Sequence, residues 1–221
     1  TGTFSFDSTV PLSAVALEGL TSPRAEFLTT TLPLVNLAMP ETSSLLPHVP
    51  AGGGWTTEII LVNPNDFQLS GRLQFVPSGE GHPISETLYS IPARSSRKLT
   101  IGGEASPVVG IAKLLPDTDS SAPSLSAIYT FMSGGVLVSA SGASPNGNLN
   151  GLDIYSEASG QLGTIGSIQT GIAVGNPASS ATDVRFELLG LNGKSSGITG
   201  VLHLPPDGQV HTSIRELPEI G

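Results

Sequence analysis

The chain has 221 residues, 38% hydrophobic and 12% charged, with 27 Gly, 18 Pro, no Cys and a formal net charge of −9. That supplies a core for one large or two ordinary domains and too little charge for a disordered tail. Nine Lys and Arg in all exclude the basic stripe that nucleic acid requires and give no attraction to an anionic membrane surface. The lack of cysteine excludes thiol catalysis, thiolate zinc sites and iron–sulfur chemistry.

Gly and Pro are scattered between short apolar runs, the composition of many turns joining many strands. In chain order, VPLSAVALEG (10–19) is apolar enough for a central strand. After a turn at Ser22-Pro23, SPRAEFLTTTLP (22–33) follows, its Thr run suited to a strand face. PETSSLLPHVPAGGG (40–54) reads as a Pro/Gly-rich linker, with AGGGW (51–55) a flexible entry to the next strand. Strands are expected near 56–62, 71–76, 85–91, 96–101, 108–115, 125–132, 136–141 and 151–156, with SETLYSI (85–91) meeting a core on one face and VLVSASG (136–142) at a sheet edge. ASGQLGTIGS (158–167) reads as a linker out of this block, so boundaries are expected near 41 and 160. Eight short strands without helical crossovers predict an all-β antiparallel sandwich.

A repeat organises the chain. TEIILVNP (57–64) returns as TGIAVGNP (170–177), with Pro64 and Pro177 113 residues apart. GRLQF, ending at Phe75, pairs with TDVRF, ending at Phe186, and the turn PSGEG (77–81) with GLNGK (190–194). YSIPARSSRKL (89–99) pairs with LHLPPDGQVHT (202–212). The first copy continues through VVGIAKLLPD (108–117), SLSAIYTFMSGG (124–135) and VLVSASGASP (136–145), for which the second copy has no counterpart. The N-terminal region carries similar segments. TGTFSFDS (1–8) sets Gly2 over Gly110, and PLSAVALEG (11–19) sets Leu12-Ser13-Ala14-Val15 over Leu125-Ser126-Ala127-Ile128. AEFLTTTLP (25–33) sets Pro33 over Pro145.

The chain thus reads as two β-sandwich modules. Residues 41–160 form the complete one; 1–40 plus 161–221 form a discontinuous second, in which N-terminal strands complete a C-terminal half. Residues 161–221 alone would expose a strand edge and an apolar face. The missing strands dock either within the chain, which effective concentration favours, or onto another copy by strand donation.

Chemistry-bearing groups are sparse. GTFSFDS and GASPNG are not nucleophile elbows, and no Ser-His-Asp grouping is evident. His48, His82, His203 and His211 are dispersed. His203 and His211 fall on adjacent expected strands but have no evident third ligand for a metal. Asp117 and Asp119 have calcium-loop spacing without the distal Glu, and only Asp7 recurs in the N-terminal counterpart, so an Asx-bonded turn is the better reading. Glu80, Glu86 and Glu104 read as a solvated acidic face. Trp55, the single tryptophan, is the one candidate ligand-binding residue: it would stack on a sugar ring if exposed, or pack at the module edge if not. No catalytic residue, cofactor or metal is expected.

GGGWTTEIILVNPNDFQLSGRLQF, YSIPARSSRKL and VPLSAVALEGLTSPRAEFLTTTLP resemble modules repeated in large secreted bacterial proteins, often beside immunoglobulin-like or fibronectin-type domains. The resemblance implies a spacer, adhesive or assembly element. The expectation is a non-enzymatic, secreted or cell-surface structural protein, a surface or filament subunit. Its partners would be other copies of itself or neighbouring modules, without nucleic acid or membrane insertion. The absence of a leader or long apolar run reads as a soluble, mature or excised segment. The alternative is a carbohydrate-binding module of a secreted multidomain protein.

Overall fold

The computed structural model describes residues 2–11, 13–22, 24–35, 45–103, 105–145, 150–217 and 220; Leu12, Pro23 of the expected turn, residues 40–44 of the expected linker and Glu104 lie outside them. The chain divides into two compact units, 1–148 and 149–221. It is all-β with antiparallel sheets, as the strand spacing predicts.

The first unit contains β1 (Ala16–Thr21), β2 (Phe27–Leu32), β3 (Leu45–Ala51), β4 (Trp55–Val62) and β5 (Leu69–Pro77). It continues with β6 (Ser85–Ile91), β7 (Ser96–Gly102), β8 (Val108–Pro116), β9 (Ser124–Ser133) and β10 (Val136–Ala143). Two four-stranded sheets, ordered β10-β9-β4-β7 and β3-β8-β5-β6, enclose the core. Alternation decides what enters it. Ile59 and Leu61 of β4 meet Leu73 and Phe75 of β5, Ala112 and Leu114 of β8, and Leu125 and Ala127 of β9, all buried. Along β4 and β5 their neighbours are more exposed, the period-2 pattern of a sandwich, whereas β9 is buried on both faces from Ser124 to Ile128.

Three local expectations are corrected. Residues 45–51 are not linker but strand β3, whose buried Leu45, Leu46 and Val49 close the core. Pro47 and Pro50 are tolerated because β3 pairs with β8 alone, with a register shift between Leu46 and Val49. Gly52, Gly53 and Gly54 are a tight hairpin turn, not a flexible entry. All three have positive φ, and Gly52 and Trp55 exchange backbone hydrogen bonds of 2.9 Å. The expected strand at 151–156 is absent: Leu152, Ile154 and Tyr155 alternate in no ladder and are exposed.

Residues 10–19 are not a central strand. Only 16–21 is extended and paired, in a two-stranded hairpin with β2, and β1 is exposed along most of its length. The turn is built on Ser22, whose hydroxyl accepts from the Arg24 and Glu26 N–H groups, with Ala25 left-handed at φ 59°. β2 packs beside β10, where the Thr31 carbonyl occupies the space a side chain on Gly142 would need.

The second unit contains β11 (Ala158–Ser159), β12 (Ile168–Gln169), β13 (Gly171–Gly175), β14 (Thr182–Leu189), β15 (Ser195–Leu204) and β16 (Gln209–Ser213), then a 3-10 turn at Ile214–Glu216. The expected linker 158–167 is partly ordered: β11 pairs with β12, and Arg215 donates to the Gly160 carbonyl at 2.6 Å. β13 pairs with β16 and β14 with β15.

Candidate functional site

The repeat is visible in hydrogen bonds. Asn63 is buried where β4 ends. Its Nδ2 donates to the carbonyls of Phe67 at 2.7 Å and Pro92 at 2.9 Å, and its Oδ1 accepts from the Asn65 N–H at 2.9 Å. Asn176, 113 residues on, repeats each bond. Its Nδ2 donates to Ser180 at 2.7 Å and Pro205 at 3.0 Å, and its Oδ1 accepts from the Ala178 N–H at 3.1 Å. Arg94 and Asp207, related by the same offset, are both left-handed, at φ 53° and 50°. One carboxamide thus ties a strand end to the turn between the next pair of strands, twice. The Asn-Pro recurrence is structural chemistry.

Strand register agrees as well. Ile59 lies opposite Leu99, and Ile172 opposite Thr212. Leu69 lies opposite Ile91, and Thr182 opposite Leu204. This corrects one sequence match. Leu188, not Phe186, stands in the place of Phe75, and Phe186 stands in that of Leu73. Pairing the two phenylalanines slips the frame by two residues, which preserves the face and so hides the error.

The difference between the copies lies at the edges. In the first unit β4 is flanked by β7 and β9, and β5 by β6 and β8. Among the described residues β13 is paired with β16 alone and β14 with β15 alone. Burial follows. Leu73 and Phe75 are 3% and 2% exposed, whereas Phe186 and Leu188 are only half-buried, as are Ile172 and Val174 where Ile59 and Leu61 are fully enclosed. The asparagine end of this half-module is packed by Leu202 and Leu204, and Leu217 is buried after the 3-10 turn. A second apolar surface lies at the N-terminal end, where Phe4 is 86% exposed, Val15 80% and Phe27 71%. Isolated exposed apolar side chains are ordinary; the open edges of β13 and β14 are the candidate site.

The residues singled out from the sequence do not converge. Trp55 is half-buried and lies on Phe131 with ring centroids 4.8 Å apart, so one face of its indole is covered. His203 and Asp183 form an exposed pair at 2.8 Å across β14 and β15, while His211 lies on β16 opposite Ala173. His48 meets the Tyr129 ring edge-on, and the Tyr129 hydroxyl donates to the His48 carbonyl at 2.6 Å. His82 and Glu80 share an exposed turn. Asp117 accepts from the Ser70 hydroxyl at 2.6 Å, and its carbonyl accepts from the Ser120 N–H, so this loop is bonded to the start of β5. Glu86 faces Arg72 at 3.7 Å. Among the described residues no group of three His, Asp or Glu could hold a metal ion.

The charge perturbations have structural causes. Burial pushes the Tyr89 hydroxyl up to about 12, with Asp117 adding to it, and burial alone raises Tyr129. The Arg94 guanidinium, bonded to Asp66 at 2.7 Å, holds that carboxyl below its usual range. A cleft of about 200 Å³ opens beside Leu73, Phe75, Ile84, Leu99 and Ile101, and its lining carries no titratable side chain.

The fold and these surfaces define an antiparallel β-sandwich protein with an internally repeated strand framework. No protein-family model, curated protein or solved structure matches the chain.

Proposed function

We propose that this chain is a non-enzymatic structural protein of the extracellular space or cell surface, built from tandem β-sandwich modules and assembling with copies of itself. One observation carries the reading: the C-terminal strands reproduce the framework of the complete module, yet among the described residues they lack the strands that cover it there. An uncovered framework of this kind is a template for added strands. The cysteine-free, lysine-poor composition and the resemblance to immunoglobulin- or fibronectin-like modules of large secreted bacterial proteins support the same placement. No observation favours the carbohydrate-binding alternative, because Trp55 is accounted for by its contact with Phe131.

Sedimentation velocity of the full chain at rising concentration tests this. Assembly predicts a ladder of masses above the monomer. A fixed monomer mass across the range, or glycan binding that is lost in Trp55→Ala, would overturn it.

A further inference from the structure

We propose that the open edges of β13 and β14 receive the N-terminal segment of a second copy, in a defined register: residues 2–6 along β14 and residues 13–15 along β13. The inference rests on the assembly reading above, and its template is the complete module. There β5 pairs with β8, Leu73 opposite Leu114 and Phe75 opposite Ala112. There β4 pairs with β9, Ile59 opposite Ala127. Gly2 aligned on Gly110 carries Phe6 to the place of Leu114 and Phe4 to that of Ala112. Phe6 of one copy then lies opposite Phe186 of the next, and Phe4 opposite Leu188. Ala14, aligned on Ala127, lies opposite Ile172.

Three observations specify this occupant. First, side-chain sizes exchange. The complete module sets large Phe75 against small Ala112, and the proposed pair sets smaller Leu188 against large Phe4. The framework makes the same exchange where Tyr89 covers Gly71 in one copy and Leu202 covers Val184 in the other. Second, Gly110 has a steric reason: a side chain there would strike the Val76 carbonyl and the Phe75 ring. Gly2 has none within its own chain, since a Cβ at Gly2 meets nothing within 4 Å. In the proposed position Gly2 faces the equivalent close approach on β14. Third, residues 2–32 of each chain belong to its first unit, where the Thr3 and Ser96 hydroxyls meet at 2.9 Å and β2 lies beside β10. With its own N-terminal segment held on the first unit, the donor proposed for the second unit is a different copy. Such a contact joins unlike surfaces, so repetition adds subunits head to tail.

The absence of native cysteine makes cross-linking clean. Full-length Phe6→Cys is mixed with full-length Phe186→Cys carrying a tag of different mass, and oxidised. Facing residues on adjacent strands fall within disulfide reach, whereas the next residue points to the other face. The 6–186 heterodimer should exceed that from Phe6→Cys with Arg185→Cys by about fivefold or more. Gly2→Val should leave the melting temperature of dilute protein unchanged and weaken association about tenfold, the usual scale for overpacking a tight contact. Equal yields from the two mixtures, or unchanged association in Gly2→Val, would overturn the proposed register while a mass ladder left the assembly reading intact. A monomer at every concentration would overturn both. A disulfide that forms within single chains of the double variant Phe6→Cys/Phe186→Cys at high dilution, with none between chains in the mixture, would replace the second copy by the chain's own N-terminal segment.

Discussion

Replacing Asn63 by Ala removes a side chain that is 1% exposed and takes a hydrogen bond from four backbone groups: the Phe67, Ile91 and Pro92 carbonyls and the Asn65 N–H. A hydrogen bond contributes about 1 kcal/mol net and a buried group left unpaired costs more; with one nitrogen shared among three acceptors, the loss comes to about 3 kcal/mol. With a urea slope of about 2 kcal/mol/M, the unfolding midpoint falls by about 1.5 M at unchanged slope. Trp55 lies in the first unit, so its fluorescence follows that unit alone. Asn176→Ala, which breaks the same bonds in the second unit, should alter the far-ultraviolet circular dichroism transition and leave the fluorescence midpoint in place. Asn63→Asp should be at least as damaging as Asn63→Ala, because it turns a donor into an acceptor aimed at three carbonyl oxygens. A fluorescence shift under about 0.3 M for Asn63→Ala, or a harmless Asn63→Asp, would refute the claim that this carboxamide locks the strand end.

Three further outcomes follow from packing and burial. Gly110→Ala drives a Cβ into the Val76 carbonyl and the Phe75 ring and should cost about 2 kcal/mol in chemical denaturation, the range for overpacking. The Tyr89 hydroxyl is buried with no hydrogen-bond partner among the described residues, so Tyr89→Phe should stabilise by about 1 kcal/mol in the same assay. Its acidity is held at about 12 against 10.0 for a free tyrosine. Its contribution to stability is therefore complete below pH 10 and disappears as pH rises through 12. Melting temperatures measured between pH 9 and 12 should fall less steeply in Tyr89→Phe than in the parent, with a remainder set by Tyr129, which is raised in the same direction. Trp55→Ala should lower stability by about 2 kcal/mol through the lost area and the lost contact with Phe131.

Much of the framework was legible because the same physics acts twice. The Asn-Pro pairs mark a strand end whose carboxamide has fixed partners, so the 113-residue spacing survives divergence in the strands between. Strands β4 to β10 were legible as short apolar, β-branched or aromatic runs bounded by Gly, Pro, Asn or Ser. β3 was not: Pro47 and Pro50 look like linker residues, and only its position at a sheet edge makes them acceptable. GLDIYS (151–156) failed in the opposite way, as it alternates like a strand but has no ladder partner. The N-terminal run 10–19 has the composition of a central strand, yet most of it is exposed. That conflict between local propensity and surroundings is what the proposed docking onto a second copy would resolve. The apolar association surface was legible in outline, from the missing strands. Its register needed the pairings of the complete module.

The central claim is that the second framework is open at its edges in a single chain and covered in the assembly. Hydrogen exchange of the full chain, followed by mass spectrometry at low and high concentration, addresses it directly. Peptides spanning 55–77 should be protected at both concentrations. Those spanning 171–189 should exchange quickly when dilute and become protected as the chains associate. Equal protection of 55–77 and 171–189 in the dilute monomer would contradict the account, because no open edge would then exist to be filled.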